Sequence, residues 1–213
     1  MPAESDTGRV LYLSHPQVAI DPAVPVPDWP LSAVGRARVE RFAAGPRLRR
    51  VTAVYSSAER KAVDTGAILA ERLGVPLTTV EAMHENDRTA TGFLPPERFE
   101  AVADRFFAEP GASVLGWERA VDAQARIVAS IREILERDTT GGDILLAGHG
   151  GVGALLLAHL LGEPISRRLD QPATGGGNLF AFRRADLGVI HGWRTMENVD
   201  RRETVVGGRS QPT

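Results

Sequence analysis

An α/β fold built on a mostly parallel sheet, with helices on both faces, is what this sequence predicts, and three apolar runs carry the prediction. Arg9-Val-Leu-Tyr-Leu-Ser14, Val51-Thr-Ala-Val-Tyr55 and Asp143-Ile-Leu-Leu-Ala147 lack a polar face, as strands buried on both sides do. Each ends in residues with chemistry to offer, at His15, at Ser56-Ser57 and at Gly148-His149. Helix-period patterns separate them, and strands alternating with helices give a parallel sheet whose ligands collect at the carboxyl ends of the strands.

The first run stops at His15-Pro16, where the proline ring forces the histidine backbone to extend. Pro22, Pro25, Pro27 and Pro30 then exclude a helix or a central strand and imply an extended surface loop. Ser32 starts a helix that carries Val34, Val39 and Phe42 at amphipathic spacing until Gly45-Pro46 stops it. The second run leads through Ser56-Ser57 into a helix marked by Ala62, Ile68, Leu69 and Leu73 and closed by Gly74. Pro76 to Val80 reads as a short strand and His84 to Leu94 as a polar loop.

Pro95-Pro96 opens a helix through Phe106-Phe107, and a longer helix runs from Trp117 to Arg137 with Val121, Ala125, Val128, Ile131, Ile134 and Leu135 on its stripe. The third run passes through Gly148-His149-Gly150-Gly151 into an apolar helix from Val152 to Leu161. Asn178 to Phe182 and Gly188 to Trp193 read as the last strands. No repeat or linker divides the chain, so residues 1–213 are expected to form a single domain, with flexible tails at 1–8 and 206–213.

A hydrophobic fraction of 43% with 24% charged residues places the chain among packed globular proteins. A net charge of -2 supplies no basic field for nucleic acid, and the absence of cysteine removes both disulfides and thiolate metal sites. The apolar runs are too short to span a bilayer, and the amino end lacks the order of a signal peptide. The expected location is cytoplasmic, with no nucleic-acid or membrane partner, and a homo-oligomer is neither required nor forbidden.

His15 alone would read as a core histidine bonded to a carbonyl, but His149 occupies the matching position after another strand. The segment Gly148-His-Gly-Gly-Val-Gly153 also places backbone N–H groups and the positive end of a helix beside anything bound there, which makes Gly150 a candidate anion contact. The bland alternative is a glycine-rich turn with no ligand.

The order of these features resembles the histidine phosphatase superfamily, the phosphoglycerate-mutase-like fold, from Arg9 to about Trp193. Leu13-Ser14-His15-Pro16 stands where the family has a strand ending in Arg-His-Gly, and Ser56-Ser57-Ala58-Glu59-Arg60-Lys61-Ala62-Val63-Asp64-Thr65 matches its Ser-rich turn and following helix. Glu85, in Met83-His84-Glu85-Asn86-Asp87-Arg88, matches the mid-chain acid, and Gly148-His149-Gly150 the late His-Gly.

The resemblance implies a three-layer αβα sandwich and phosphoryl transfer through a phosphohistidine, with no cofactor and no metal. His15 would attack phosphorus, Glu85, expected in a desolvated spot that raises its pKa, would protonate the departing oxygen, and His149 would hold the phosphoryl oxygens. Ser14 replaces the arginine before the nucleophile and Lys61, the only lysine in the chain, aligns with the family's next arginine. Ser14, Arg60, Lys61, Arg88 and Gly150 are therefore the candidate phosphate contacts, with Arg60, Lys61 and Arg88 compensating for the lost cations. For Arg60 and Arg88 the competing reading is an ordinary solvated arginine. Trp29, Trp117 and Glu118 are candidate pocket walls, more readily read as packing residues.

The activity this implies is phosphomonoester hydrolysis on a small phosphorylated metabolite. The alternatives are a mutase, or a weak or inactive member that binds a phosphorylated ligand. Two readings from other classes compete: a dinucleotide fingerprint at Gly148-x-Gly-x-x-Gly153 with Asp170 as the ribose acid, and a metal site of His15, His149 and Glu85.

Overall fold

The computed structural model describes residues 8–198, so the expected tail at 206–213, and all but Gly8 of the one expected at 1–8, lie outside the described residues. Strands β1 (Arg9–Ser14), β2 (Val51–Ser57), β3 (Leu77–Val80), β4 (Asp143–Gly148), β5 (Asn178–Arg183) and β6 (Val189–Thr195) form one sheet in the order β3-β2-β4-β1-β5-β6. The four strands from β3 to β1 run parallel, and β5 and β6 add an antiparallel edge. The sheet is mixed and mostly parallel.

Alternation along β1 explains the layers. Leu11 and Leu13 face a core shared with Val39, Phe42 and Leu69, which come from α1 (Ala33–Ala43) and α2 (Arg60–Leu73). Val10 and Tyr12 point the other way, into a core with Phe106, Ile127 and Leu155 from α3 (Pro96–Ala108), α4 (Ala120–Arg137) and α5 (Gly150–Leu161). Helices cover both faces of an all-buried strand, which is why its sequence shows no polar side.

The capping signals act as chemistry dictates. The Ser32 hydroxyl accepts the Gly35 N–H at 3.1 Å, and Gly74 closes α2 in the left-handed conformation at φ 66°. Two apolar stripes differ from expectation. Val34 is 59% exposed, because α1 presses Gly35 and Val39 inward and a β-carbon at Gly35 would lie 2.2 Å from the Gln17 carbonyl oxygen.

On α4 the buried arc is Ala120, Ala123, Ile127, Ser130, Ile131 and Ile134, while Val121 and Ala125 face solvent. Small residues win that arc because α4 packs closely against α5. The helix also starts at Ala120, three positions later than the pattern suggests, since Trp117 is extended and buried with its N–H on the Val114 carbonyl.

Candidate active site

Adjacent parallel pairing of β1 and β4 sets Ser14 opposite Gly148, so the residues that follow, His15 and His149, emerge side by side. The His15 N–H extends the ladder to the Gly148 carbonyl at 2.9 Å, and the imidazole centroids are 5.3 Å apart at 72°. His15 Nδ1 lies 2.9 Å from the Pro16 carbonyl oxygen; with the proton on Nδ1 the bond is made, and Nε2 keeps its lone pair. Burial, assisted by positive charge at His149 and Lys61, pushes the His15 pKa down from 6.5 to about 3. A neutral imidazole results.

His149 is fully buried, and its backbone is clamped by Tyr12, whose hydroxyl accepts the His149 N–H at 3.1 Å and donates to the His149 carbonyl at 3.0 Å. Its Nε2 meets Ser57 Oγ at 2.9 Å, whereas Nδ1 is buried with no hydrogen-bond partner among the described residues. Burial lowers its pKa despite the nearby Glu59 and Glu85 carboxylates.

Glu85 corrects two expectations at once. Its carboxylate accepts the N–H groups of Gly151 at 3.0 Å and Val152 at 2.8 Å, so the amino end of α5 already holds an anion of the protein's own. Gly150 borders the second cleft, but its helix end offers no open cradle for a pyrophosphate, which removes the ground for the dinucleotide reading. Burial alone would raise the Glu85 pKa; the charges of Arg88 and His149 and the Gly151 N–H outweigh it, and the pKa is lowered, opposite to expectation. The segment is tied down by Arg126 of α4, which donates to the carbonyls of Ala82 and His84 at 2.9 Å and of Glu85 at 3.3 Å. Arg126 is itself paired with Glu118, which thus supports the loop and does not wall the pocket.

The expected cations divide. Lys61 is buried, donates to the Val26 carbonyl at 2.8 Å and pairs with Glu59. Burial would raise the Glu59 pKa, but His149 and Lys61 hold it down to about 2. Arg60 lies outside the site: its side chain is 61% exposed and paired with Asp64, because one residue along a helix turns the side chain by about 100°. Arg88 lies over the rings of Phe99 and Trp117, 5.1 and 5.5 Å from their centroids. It borders, with His15, Glu85 and Asn86, two adjoining clefts of about 860 and 440 Å³.

Ser14 is fully buried and turned away from any ligand. Its hydroxyl donates to Gln171 Oε1 at 2.6 Å and accepts the Asn178 N–H at 3.1 Å. Asn178 Nδ2 donates to the same Gln171 oxygen at 3.0 Å, so the amide is pinned by its carbonyl. Its Nε2 then faces Gly150, where a β-carbon would lie only 2.1 Å away. Asn86 Nδ2 is buried without a partner among the described residues. Among them, no group of three His, Asp or Glu side chains has a metal-holding arrangement.

Two imidazoles at neighbouring strand tips of a phosphoglycerate-mutase-like sheet, one neutral and backbone-oriented, define a two-histidine α/β site. The chain belongs to the histidine phosphatase superfamily, branch 1, whose family model matches residues 22–183, a span that begins after His15. A glucosyl-3-phosphoglycerate phosphatase of Mycolicibacterium vanbaalenii is 28% identical over 168 residues, covering 70% of this chain and 69% of the relative. The mycobacterial glucosyl-3-phosphoglycerate phosphatase in complex with inorganic phosphate superposes with a TM-score of 0.67 at 25% identity, covering 88% of this chain and 94% of that one. YhfR of Bacillus stearothermophilus gives a TM-score of 0.71 at 20% identity over 87% and 95% of the two chains, a likeness of fold. Among the described residues no helix is long and apolar enough to cross a membrane.

Ser57 belongs to the turn that the sequence marks, whereas Tyr12, Glu59, Asn86, Arg126 and Gln171 were not singled out from sequence. Only Glu59 carried a signal, as an acid two positions before the sole lysine on the turn after β2.

Two predictions follow from these shifts and contacts. Replacing Tyr12 by Phe strands the His149 N–H in a dry interior and lowers stability by about 1–3 kcal/mol, read from the urea midpoint. Acid should destabilise the protein in two ranges. A folded His15 pKa of about 3 against 6.5 means the unfolded chain takes the proton first, so stability declines as pH falls from 6.5 toward 3. Glu59 contributes stability that is whole above its ordinary 4.5 and is lost as pH falls to about 2. The His15→Gln variant should flatten the upper range by up to about 1.4 kcal/mol per pH unit in urea unfolding; an unchanged slope would contradict the assignment.

Proposed function

We propose that the protein hydrolyses phosphomonoesters of small metabolites through a phosphohistidine on His15, by a route that needs only its own side chains and water. One observation carries the reading: His15 Nδ1 lies 2.9 Å from the Pro16 carbonyl oxygen, so a proton donated there leaves the Nε2 lone pair free on a ring that borders both clefts and meets His149 edge-on. The family and its similarity to glucosyl-3-phosphoglycerate phosphatases support it.

In the first step Nε2 of His15 attacks phosphorus, the P–O bond to the alcohol breaks, and the alcohol oxygen leaves with a proton delivered by Glu85. In the second step water attacks phosphorus, the P–N bond breaks, Glu85 takes the proton from water, and inorganic phosphate departs. Glu85 is ionised in the free protein, so the proton for the first step arrives with the substrate. A phosphomonoester bound as its monoanion hands its proton to Glu85, whose affinity for it rises beside the phosphoryl charge.

The phosphoryl oxygens are held by His149 Nδ1, Asn86 Nδ2 and Gln171 Nε2, with Arg88 and Lys61 as the nearby cations. His149 Nδ1 and Asn86 Nδ2 are buried without partners among the described residues, which is costly, and a tetrahedral anion between them relieves both. Ser14 and Asn178 aim the amide of Gln171 and so provide a neutral donor in place of the family's arginine. The pairing of Lys61 with Glu59 favours a second reading, a binding-only protein, because an internal carboxylate already draws on that cation. A mutase would need a retained intermediate, for which no feature of the site speaks.

Incubation with phosphomonoesters should release phosphate and give an acid-labile, alkali-stable phosphoprotein. Both should vanish in His15→Asn; phosphate binding without release would establish the binding-only alternative. Gln171→Leu should lower kcat/KM about tenfold to a hundredfold while leaving the urea midpoint near that of the parent. With ester monoanion as substrate, kcat/KM should fall above about pH 6, where the second phosphate proton is lost.

A further inference from the structure

The larger cleft, about 860 Å³, opens directly from His15 and is wide enough for a drug-sized group. Its apolar lining is formed by Val18, Val26, Pro27, Trp29, Phe93 and Leu94. Phe93 is 37% exposed and packs on buried Trp29 with centroids 5.6 Å apart, so an aromatic face is presented to whatever enters. Trp29 offers that visitor no polar handle, because its Nε1 donates to the carbonyls of Asp21 at 2.9 Å and Val24 at 3.0 Å.

Several polar groups of the same cleft are already engaged, Asn86 Nδ2 beside the phosphate position excepted. Glu85 is held by backbone N–H groups, His84 Nδ1 lies 2.7 Å from the Glu85 carbonyl oxygen, and Asp87 takes the Thr89 N–H at 2.8 Å. Lys61 is engaged by Val26 and Glu59. A sugar or polyol in this space would bury hydroxyls with few open partners, at a cost that apolar groups avoid. Charge adds a second filter. Glu81 and Asp87 line the cleft in addition to Glu59 and Glu85, against Lys61 and Arg88, while Glu100 is paired with Arg167, so a leaving group with its own carboxylate meets a repulsive wall.

We infer that the preferred substrate is the phosphomonoester of a bulky, apolar, uncharged alcohol, with the phosphate at His15 and the apolar body against Trp29 and Phe93. This deepens the proposed function and rests on it for turnover. The inference separates this chain from the glucosyl-3-phosphoglycerate phosphatases it is similar to, whose namesake compound joins a glucosyl group to phosphoglycerate.

Initial rates with 1-naphthyl phosphate, phenyl phosphate, glucose 6-phosphate and 3-phosphoglycerate test it directly. The expected order of kcat/KM is naphthyl above phenyl by roughly tenfold, from the extra apolar surface buried, and both above the sugar and the glycerate. The Phe93→Ser variant, altered at an exposed position, should erase the naphthyl advantage by raising KM for naphthyl phosphate more than for phenyl phosphate. Preference for glucose 6-phosphate or 3-phosphoglycerate would overturn the inference, as would a naphthyl advantage that survives Phe93→Ser. Binding of 1-naphthylmethylphosphonate and of inorganic phosphate, followed by calorimetry, keeps the two readings apart. If no ester turns over yet the phosphonate binds at least tenfold tighter than phosphate, the hydrolytic reading fails and the groove assignment stands. Equal affinities would sink the groove assignment whatever the rates.

Discussion

Hydrogen-bonded registry between β1 and β4 is the constraint on which the rest of the site depends. His15 and His149 are separated by most of the chain, yet the pairing of Ser14 with Gly148 leaves their imidazoles no choice but to share a space. A slip of one residue would turn one ring to the opposite face of the sheet, away from the other. Registry is fixed from both faces, since β1 sends Tyr12 into one core and Leu13 into the other. Tyr12 then uses its hydroxyl to clamp the backbone of His149, joining core packing to site geometry.

Electrostatics around the rings is set by the same burial. Burial lowers the pKa of both imidazoles, and both carboxylates are held down against their burial, Glu85 by Arg88, His149 and the Gly151 N–H, Glu59 by His149 and Lys61. Two cations, Lys61 and Arg88, face two anions, and the site is close to electrically balanced before substrate arrives. A balanced site binds a monoanion more readily than a dianion, and it releases product phosphate more easily than a strongly cationic one.

Much of the fold was legible because its signals are local. Uninterrupted apolar runs marked β1, β2 and β4, while Ser32 and Gly74 marked helix ends through their own hydrogen bonds and backbone angles. The stripes of α1 and α4 were harder, since their buried arcs are chosen by close approach of neighbouring backbones. That rewards Gly35, Ala120 and Ala123 over the more hydrophobic Val34 and Val121. In the site, His15, His149, Glu85 and Lys61 could be found from order along the chain. Arg60 misled because its direction depends on helix phase. The Glu85 pKa misled because the α5 N–H groups that hold it down belong to a segment far away in sequence.

Ser14, Gln171 and Glu59 are best understood as one linked change. An arginine at position 14 would bring a third cation beside Lys61 and Arg88. Serine there binds Gln171, whose carbonyl is held by the Ser14 hydroxyl and the Asn178 amide so that its nitrogen faces Gly150. Neutral donors hold an anion less tightly than a guanidinium does, but an amide pinned at its oxygen is already oriented and loses little entropy on binding. Glu59, by engaging Lys61, lowers the net positive charge further, and the same carboxylate accepts the Glu85 N–H at 2.8 Å. Substitution at any one of these positions therefore disturbs the aim of a donor, the charge of the cleft and the seat of Glu85 together, so the three are expected to tolerate change only in concert.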